Sequence, residues 1–116
     1  MIKRQGDFSV EVREKMRGGE GSVKVVRMWE PEKEMLSKNR LFAKLLIEPG
    51  CGIGFHKHDN EDEIFVIIKG RAEADDNGSK SVLEPGDTIL TGNGAGHSIK
   101  CVGDEPLEVL AVISGY

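Results

Sequence analysis

Short apolar runs alternate with turn-forming clusters along the chain, and the runs are filled by branched and aromatic side chains. Such residues suit a pleated, half-buried backbone. The pattern predicts strands at 8–12 (FSVEV), 23–29 (VKVVRMW), 41–47 (LFAKLLI), 63–69 (EIFVIIK), 81–84 (SVLE), 87–91 (DTILT) and 107–113 (LEVLAVI). Asn77-Gly78 sits between RAEAD and KSVLE, the arrangement of a tight hairpin. Gly103-Asp104 with Pro106 marks another break. Only 31–37 (PEKEMLS), a proline followed by acids, reads as a short helix or a solvated loop. IEPG at 47–50 and LEPG at 83–86 repeat one local pattern and suggest two similar hairpin halves. An all-β chain with strands this closely spaced and no helical crossover is a sandwich or a small barrel.

Composition narrows the picture without changing it. A chain of 116 residues supports one hydrophobic core, so a single domain over 1–116 is expected. Its 15 glycines are scattered rather than periodic, as many tight turns require. A formal charge of −4 argues against a nucleic-acid footprint, which needs clustered lysine and arginine. MIKRQGDFSV has no apolar stretch behind its basic pair and no long apolar run occurs elsewhere, so neither a secretory signal nor a membrane span is expected. A cytoplasmic location follows by default. There Cys51 and Cys101 would be thiols, with no C-x-x-C pattern to bind metal or cycle redox state.

The candidate chemistry lies between Gly50 and His97. His56 and His58 are two apart, and in a strand such residues project from one face, so both imidazoles can reach one ion. Residues 59–62 then read as a hairpin loop, with Glu63 opening the neighbouring antiparallel strand and His97 opening a later one. These three are the only histidines in the chain. Glu61 and Asp62 are alternative carboxylate ligands, although Asp59, Glu61 and Asp62 read more simply as a charged loop whose loss would leave binding intact. Continuing the alternation from His97 through Ile99 points Cys101 inward, as a buried inert thiol. Arg17, Arg40 and Lys44 are the candidate cations for an anionic ligand, each otherwise an ordinary surface charge.

These residues resemble the two motifs of the cupin superfamily. The first, G-x5-H-x-H-x4-E-x6-G, is met at Gly50, His56, His58, Glu63 and Gly70, across 50–70. The second, over 86–101, is met at Gly86, Gly94 and His97, with Gly92 in place of a proline and Cys101 in place of an asparagine. The match covers about half the chain, and the rest looks like small one-domain cupins, some labelled oxalate decarboxylases. The resemblance implies an all-β double-stranded β-helix, or jelly roll. His56, His58, Glu63 and His97 would hold one divalent metal in the barrel mouth.

Three imidazoles and a carboxylate suit manganese or iron, and admit zinc, nickel or copper. A six-coordinate ion would keep two positions open, and its residual positive charge would attract oxalate, a 2-oxo acid or an enediol. Two functions fit: a metal-dependent decarboxylase, dioxygenase or isomerase, or a non-catalytic metal or small-molecule binding or sensor module. Exposed edge strands of small jelly rolls are commonly protected by a second subunit, so a homodimer involving the strand at 8–12 is expected.

Overall fold

The computed structural model describes residues 1–116 as ten strands in two antiparallel sheets. They are β1 (Ser9–Glu14), β2 (Ser22–Trp29), β3 (Asn39–Ile47), β4 (Gly52–Lys57), β5 (Glu61–Lys69), β6 (Arg71–Asp76), β7 (Ser79–Leu83), β8 (Thr88–Gly92), β9 (Gly96–Val102) and β10 (Leu107–Gly115). One sheet has the order β1-β2-β3-β10-β5-β8 and the other β4-β9-β6-β7. This is the jelly roll that the motifs imply, and every predicted strand is present, most of them a residue or two longer. Of the ambiguous 31–37 segment only Pro31–Glu34 is helical, and a helix of one turn buries nothing.

The chain changes sheet at each corner between β3 and β10 except at the Asn77-Gly78 hairpin, which joins β6 to β7 within one sheet. The two Glu-Pro-Gly segments are therefore not hairpins, as their repetition suggests, but sheet crossings: from β3 to β4 and from β7 to β8. Gly50 (φ 83°) and Gly86 (φ 95°) supply the left-handed residue that turns each corner. Gly70 makes the crossing from β5 to β6 at φ 82°, where an added Cβ would lie 2.5 Å from the Pro106 carbonyl oxygen. Both its dihedral and the close backbone approach require glycine.

Alternation decides what fills the space between the sheets. Val23, Val25, Ala43, Leu45, Ile47, Phe65, Ile67, Val109 and Ala111 face inward from the larger sheet, and Ile53, Ala72, Ala74, Ile99 and Cys101 from the smaller. Cys101 thus points into the core, as the alternation from His97 predicts, and its Sγ donates to the Glu105 carbonyl at 3.1 Å. The opposite face of the larger sheet is also rich in apolar residues. Register places Val10, Val26, Leu110 and Val66 in one row across it, with Phe42, Val112, Ile64 and Leu90 in the next. Val10, Val12 and Leu90 are 60%, 54% and 63% exposed there, and every residue of the edge strand β1 is exposed.

Leu45, 1% exposed at the centre of the core, should cost about 2–5 kcal/mol when cut to alanine. Urea denaturation followed by fluorescence would measure this as a lower midpoint at unchanged slope.

Candidate metal centre

The smaller sheet presents two of the imidazoles from paired strands. His56 on β4 lies directly opposite His97 on β9, so antiparallel register alone brings their rings together. His58 lies just beyond the end of β4, in the turn where Asn60 takes a left-handed φ of 59° and the chain crosses to β5. Here the structure corrects the sequence reading: residues 59–62 are not a hairpin loop, since β4 and β5 belong to different sheets and β5 begins at Glu61. Glu63 is its third residue. It faces the histidines across the barrel rather than from a neighbouring strand.

The four side chains meet inside the mouth. Glu63 Oε1 lies 2.9 Å from His58 Nε2, 3.0 Å from His97 Nε2 and 4.0 Å from His56 Nε2. His97 Nε2 is 3.1 Å from His58 Nε2 and 3.2 Å from His56 Nε2. Donors sharing one ion with bonds of about 2.0–2.2 Å are separated by about 3.0–3.4 Å when adjacent, so these spacings fit a cation between them. Three imidazoles aiming the same nitrogen at a carboxylate oxygen is also an arrangement that only a cation or shared protons satisfy. His58, Glu63 and His97 are buried, at 2%, 4% and 1% exposure.

What holds the rings differs from ligand to ligand. His56 Nδ1 is 2.8 Å from the Gly54 carbonyl and His58 Nδ1 is 2.6 Å from Glu61 Oε2. In each case the outer nitrogen donates, which turns Nε2 toward the centre. His97 Nδ1 is buried without a partner; that ring is held by stacking on Phe65, with centroids 4.7 Å apart and planes 9° from parallel. Thr91, the register partner of Glu63, is also buried with its hydroxyl unpaired.

Glu61 is not the free loop acid that the sequence suggests but the first residue of β5. It accepts two hydrogen bonds from Arg40, at 2.8 and 2.9 Å, while holding His58. No sequence signal marks this link, because Arg40 comes from β3 and the pairing depends on the order of strands. The Arg40 fork, assisted by His58, lowers the Glu61 pKa to about 2. His58 is raised, first by its bond to Glu63 and further by Glu61, against burial. Burial lowers His56. Burial pushes Glu63 up, but its bonds from His58 and His97 outweigh this and keep it below the usual carboxylate range.

Of the candidate cations, Arg17 and Arg40 line a cleft of about 60 Å³ beside His56, His58 and Glu63, together with Arg13, which the sequence does not single out. Lys44 does not belong to it. Alternation puts Lys44 on the outer face of the larger sheet, 3.6 Å from Glu108.

The description "Cupin domain" matches residues 43–113, more than half of the chain and all four converging side chains. The chain belongs to the cupin family. It is 39% identical to an oxalate-binding protein of Thermotoga maritima over 113 residues, 97% of this cupin and 93% of that protein. A crystal structure described as a predicted oxalate decarboxylase, also from T. maritima, superposes with a TM-score of 0.94 at 38% identity over the whole of both chains. The cupin domain of Schizosaccharomyces pombe Cnp3 shares the fold alone, with a TM-score of 0.69 at 18% identity over 93% of this cupin and 70% of that chain.

The pKa shifts set a sign for the metal-free protein. His58, raised above its ordinary 6.5, contributes stability below that pH and loses it as pH rises through its folded value. Glu61, depressed to about 2, contributes above its ordinary 4.5 and loses it as pH falls toward 2. The stability difference between wild type and Glu61→Gln should therefore be largest from about 4.5 to 6.5 and shrink on either side. Denaturation of chelator-treated protein across pH measures it; a difference that does not shrink as pH rises above 6.5 contradicts the His58–Glu61 link.

Proposed function

We propose that this cupin, acting as one domain over 1–116, binds oxalate or a similar small oxygenated anion. It does so at one divalent transition-metal ion held by His56, His58, Glu63 and His97. The observation that carries the reading is the convergence of three Nε2 atoms and one carboxylate oxygen inside the barrel mouth, at spacings suited to a shared ion. Manganese and iron fit this donor set best, with zinc, nickel and copper admissible. Bound there, such an ion polarises a chelated oxygen and lowers the pKa of coordinated water.

The chain's own residues do the rest. The Gly54 carbonyl and Glu61 fix two imidazoles in the tautomer that leaves Nε2 unprotonated. Phe65, Leu45 and Ile113 form an apolar wall of the cleft. Its volume of about 60 Å³ suits a ligand of a few heavy atoms, since one water-sized sphere takes about 10–15 Å³. The name of the T. maritima relative supports oxalate as the anion.

The cleft also bears on binding versus catalysis. Apart from the proposed ligands, its only ionisable side chains are Arg13, Arg17 and Arg40, and arginine does not exchange protons near neutral pH. A binding or sensing role is therefore favoured over turnover. Decarboxylation is the second reading, supported by the description of the T. maritima structure. A homodimer in the cytoplasm completes the proposal. The exposed valines of β1 and the apolar outer face of the larger sheet support an isologous contact, and two free thiols suit a reducing compartment.

Metal analysis after purification without added metal should find about one equivalent of transition metal per chain. His56→Ala with His58→Ala should abolish binding, and Glu61→Ala should weaken it about 10–100-fold through the loss of His58 orientation. Retention of metal by the double histidine variant would defeat the assignment. The loaded protein should bind oxalate by calorimetry without releasing carbon dioxide; sustained release would establish the decarboxylase reading instead. Light scattering should give twice the chain mass, and a monomer at working concentration would contradict the dimer.

A further inference from the structure

The connection between β1 and β2 is built against local preference. Lys15 (φ 47°) and Arg17 (φ 53°) both take left-handed conformations, followed by Gly18 (φ 80°). Glycine or asparagine adopts such dihedrals at less cost than a long side chain. The segment is nevertheless tied down. Lys15 N–H donates to the Gly21 carbonyl at 2.7 Å, and Gly52 N–H donates to the Glu20 carbonyl at 3.0 Å.

It also lies directly on β4, the strand that ends at the histidines. A Cβ added at Gly54 would collide with the Arg17 carbonyl, and one added at Gly19 with the Gly52 carbonyl. Two glycine contacts thus seat this strap on the barrel mouth, and the strap delivers Arg17 to the cleft beside His56, His58 and Glu63. Arg13, from the end of β1, reaches the same cleft.

The charges there are unequally committed. Arg40 is neutralised by its two bonds to Glu61, and Glu11 on β1 is taken by Arg27 at 2.9 Å. Arg13 and Arg17 enter no ion pair at all. Two exposed arginines without an ion-pair partner therefore line a cleft of about 60 Å³ together with His56, His58 and Glu63.

We propose that Arg13 and Arg17 form an anion subsite opposite the imidazole cluster, so that the cleft selects compact ligands with oxygen-bearing charge at both ends, a short dicarboxylate. This rests on the reading that the cluster holds a metal and the metal an anion. It adds that the outer end of the ligand is recognised by the strap. A guanidinium matches a carboxylate through paired N–H donors, which a hydroxyl at the same place cannot use equally. Monocarboxylates with a chelating hydroxyl should accordingly bind more weakly.

The test uses the full-length protein loaded with manganese and titrated calorimetrically with oxalate and, separately, with glycolate. Arg17→Gln and Arg17→Gly should each weaken oxalate by about tenfold or more, the worth of a charged hydrogen bond, and glycolate clearly less. Manganese affinity should not change. Arg17→Gly suits the left-handed dihedral and should not lower the melting temperature, which separates loss of the guanidinium from loss of the strap. Wild-type oxalate affinity in Arg17→Gly, or equal losses for the two anions, overturns the subsite. A wild-type protein that binds manganese but neither anion overturns the anion reading itself, and one that binds no manganese overturns the metal assignment beneath both.

Discussion

Glu63 is a carboxylate 4% exposed in the mouth of an apolar barrel, and the organisation of the site follows from keeping it ionised there. Burial alone would push it toward its neutral form, and an unpaired buried charge costs several kcal/mol. The fold answers by placing His58 and His97 at 2.9 and 3.0 Å from the same oxygen. Each imidazole is then oriented from behind, by Glu61, by the Gly54 carbonyl or by the face of Phe65. A cluster of this kind has a single polar focus, and a divalent cation is the ligand that satisfies all four groups at once.

That focus exists because the chain keeps changing sheets. His56 and His97 belong to the smaller sheet and Glu63 to the larger, so the polar centre is assembled across the barrel and not along one hairpin. The same crossings carry the supporting residues. Arg40 reaches Glu61 only because β3, β10 and β5 are successive neighbours, and the β1–β2 strap reaches the cleft only by lying on β4. Strands hold His56, Glu63 and His97, a turn holds His58, and the strained β1–β2 connection brings Arg17 to the same cleft.

The cleft beside the four converging side chains is small and carries three arginines. Fold by itself does not dictate such a lining, since jelly rolls host many functions. What distinguishes this site is the set of residues behind and opposite the histidines. Apart from the converging side chains, the ionisable residues that line the cleft are Arg13, Arg17 and Arg40.

Much of this was legible in the residue pattern. Branched residues between turn clusters predicted the strands, the G-x5-H-x-H-x4-E-x6-G spacing singled out His56, His58, Glu63 and Gly70, and alternation placed Cys101 inside. These are local relations, determined by strand periodicity and by the few dihedrals that glycine alone allows. The partners of those residues were not legible. The Glu-Pro-Gly turns read as hairpins although they cross between sheets, Glu61 read as a loop acid although it holds His58, and Arg40 and Lys44 read alike as candidate cations although only Arg40 lines the cleft. Each of these depends on which strand lies beside which, and strand order is set by packing two sheets around one core, over separations at which sequence spacing carries no information.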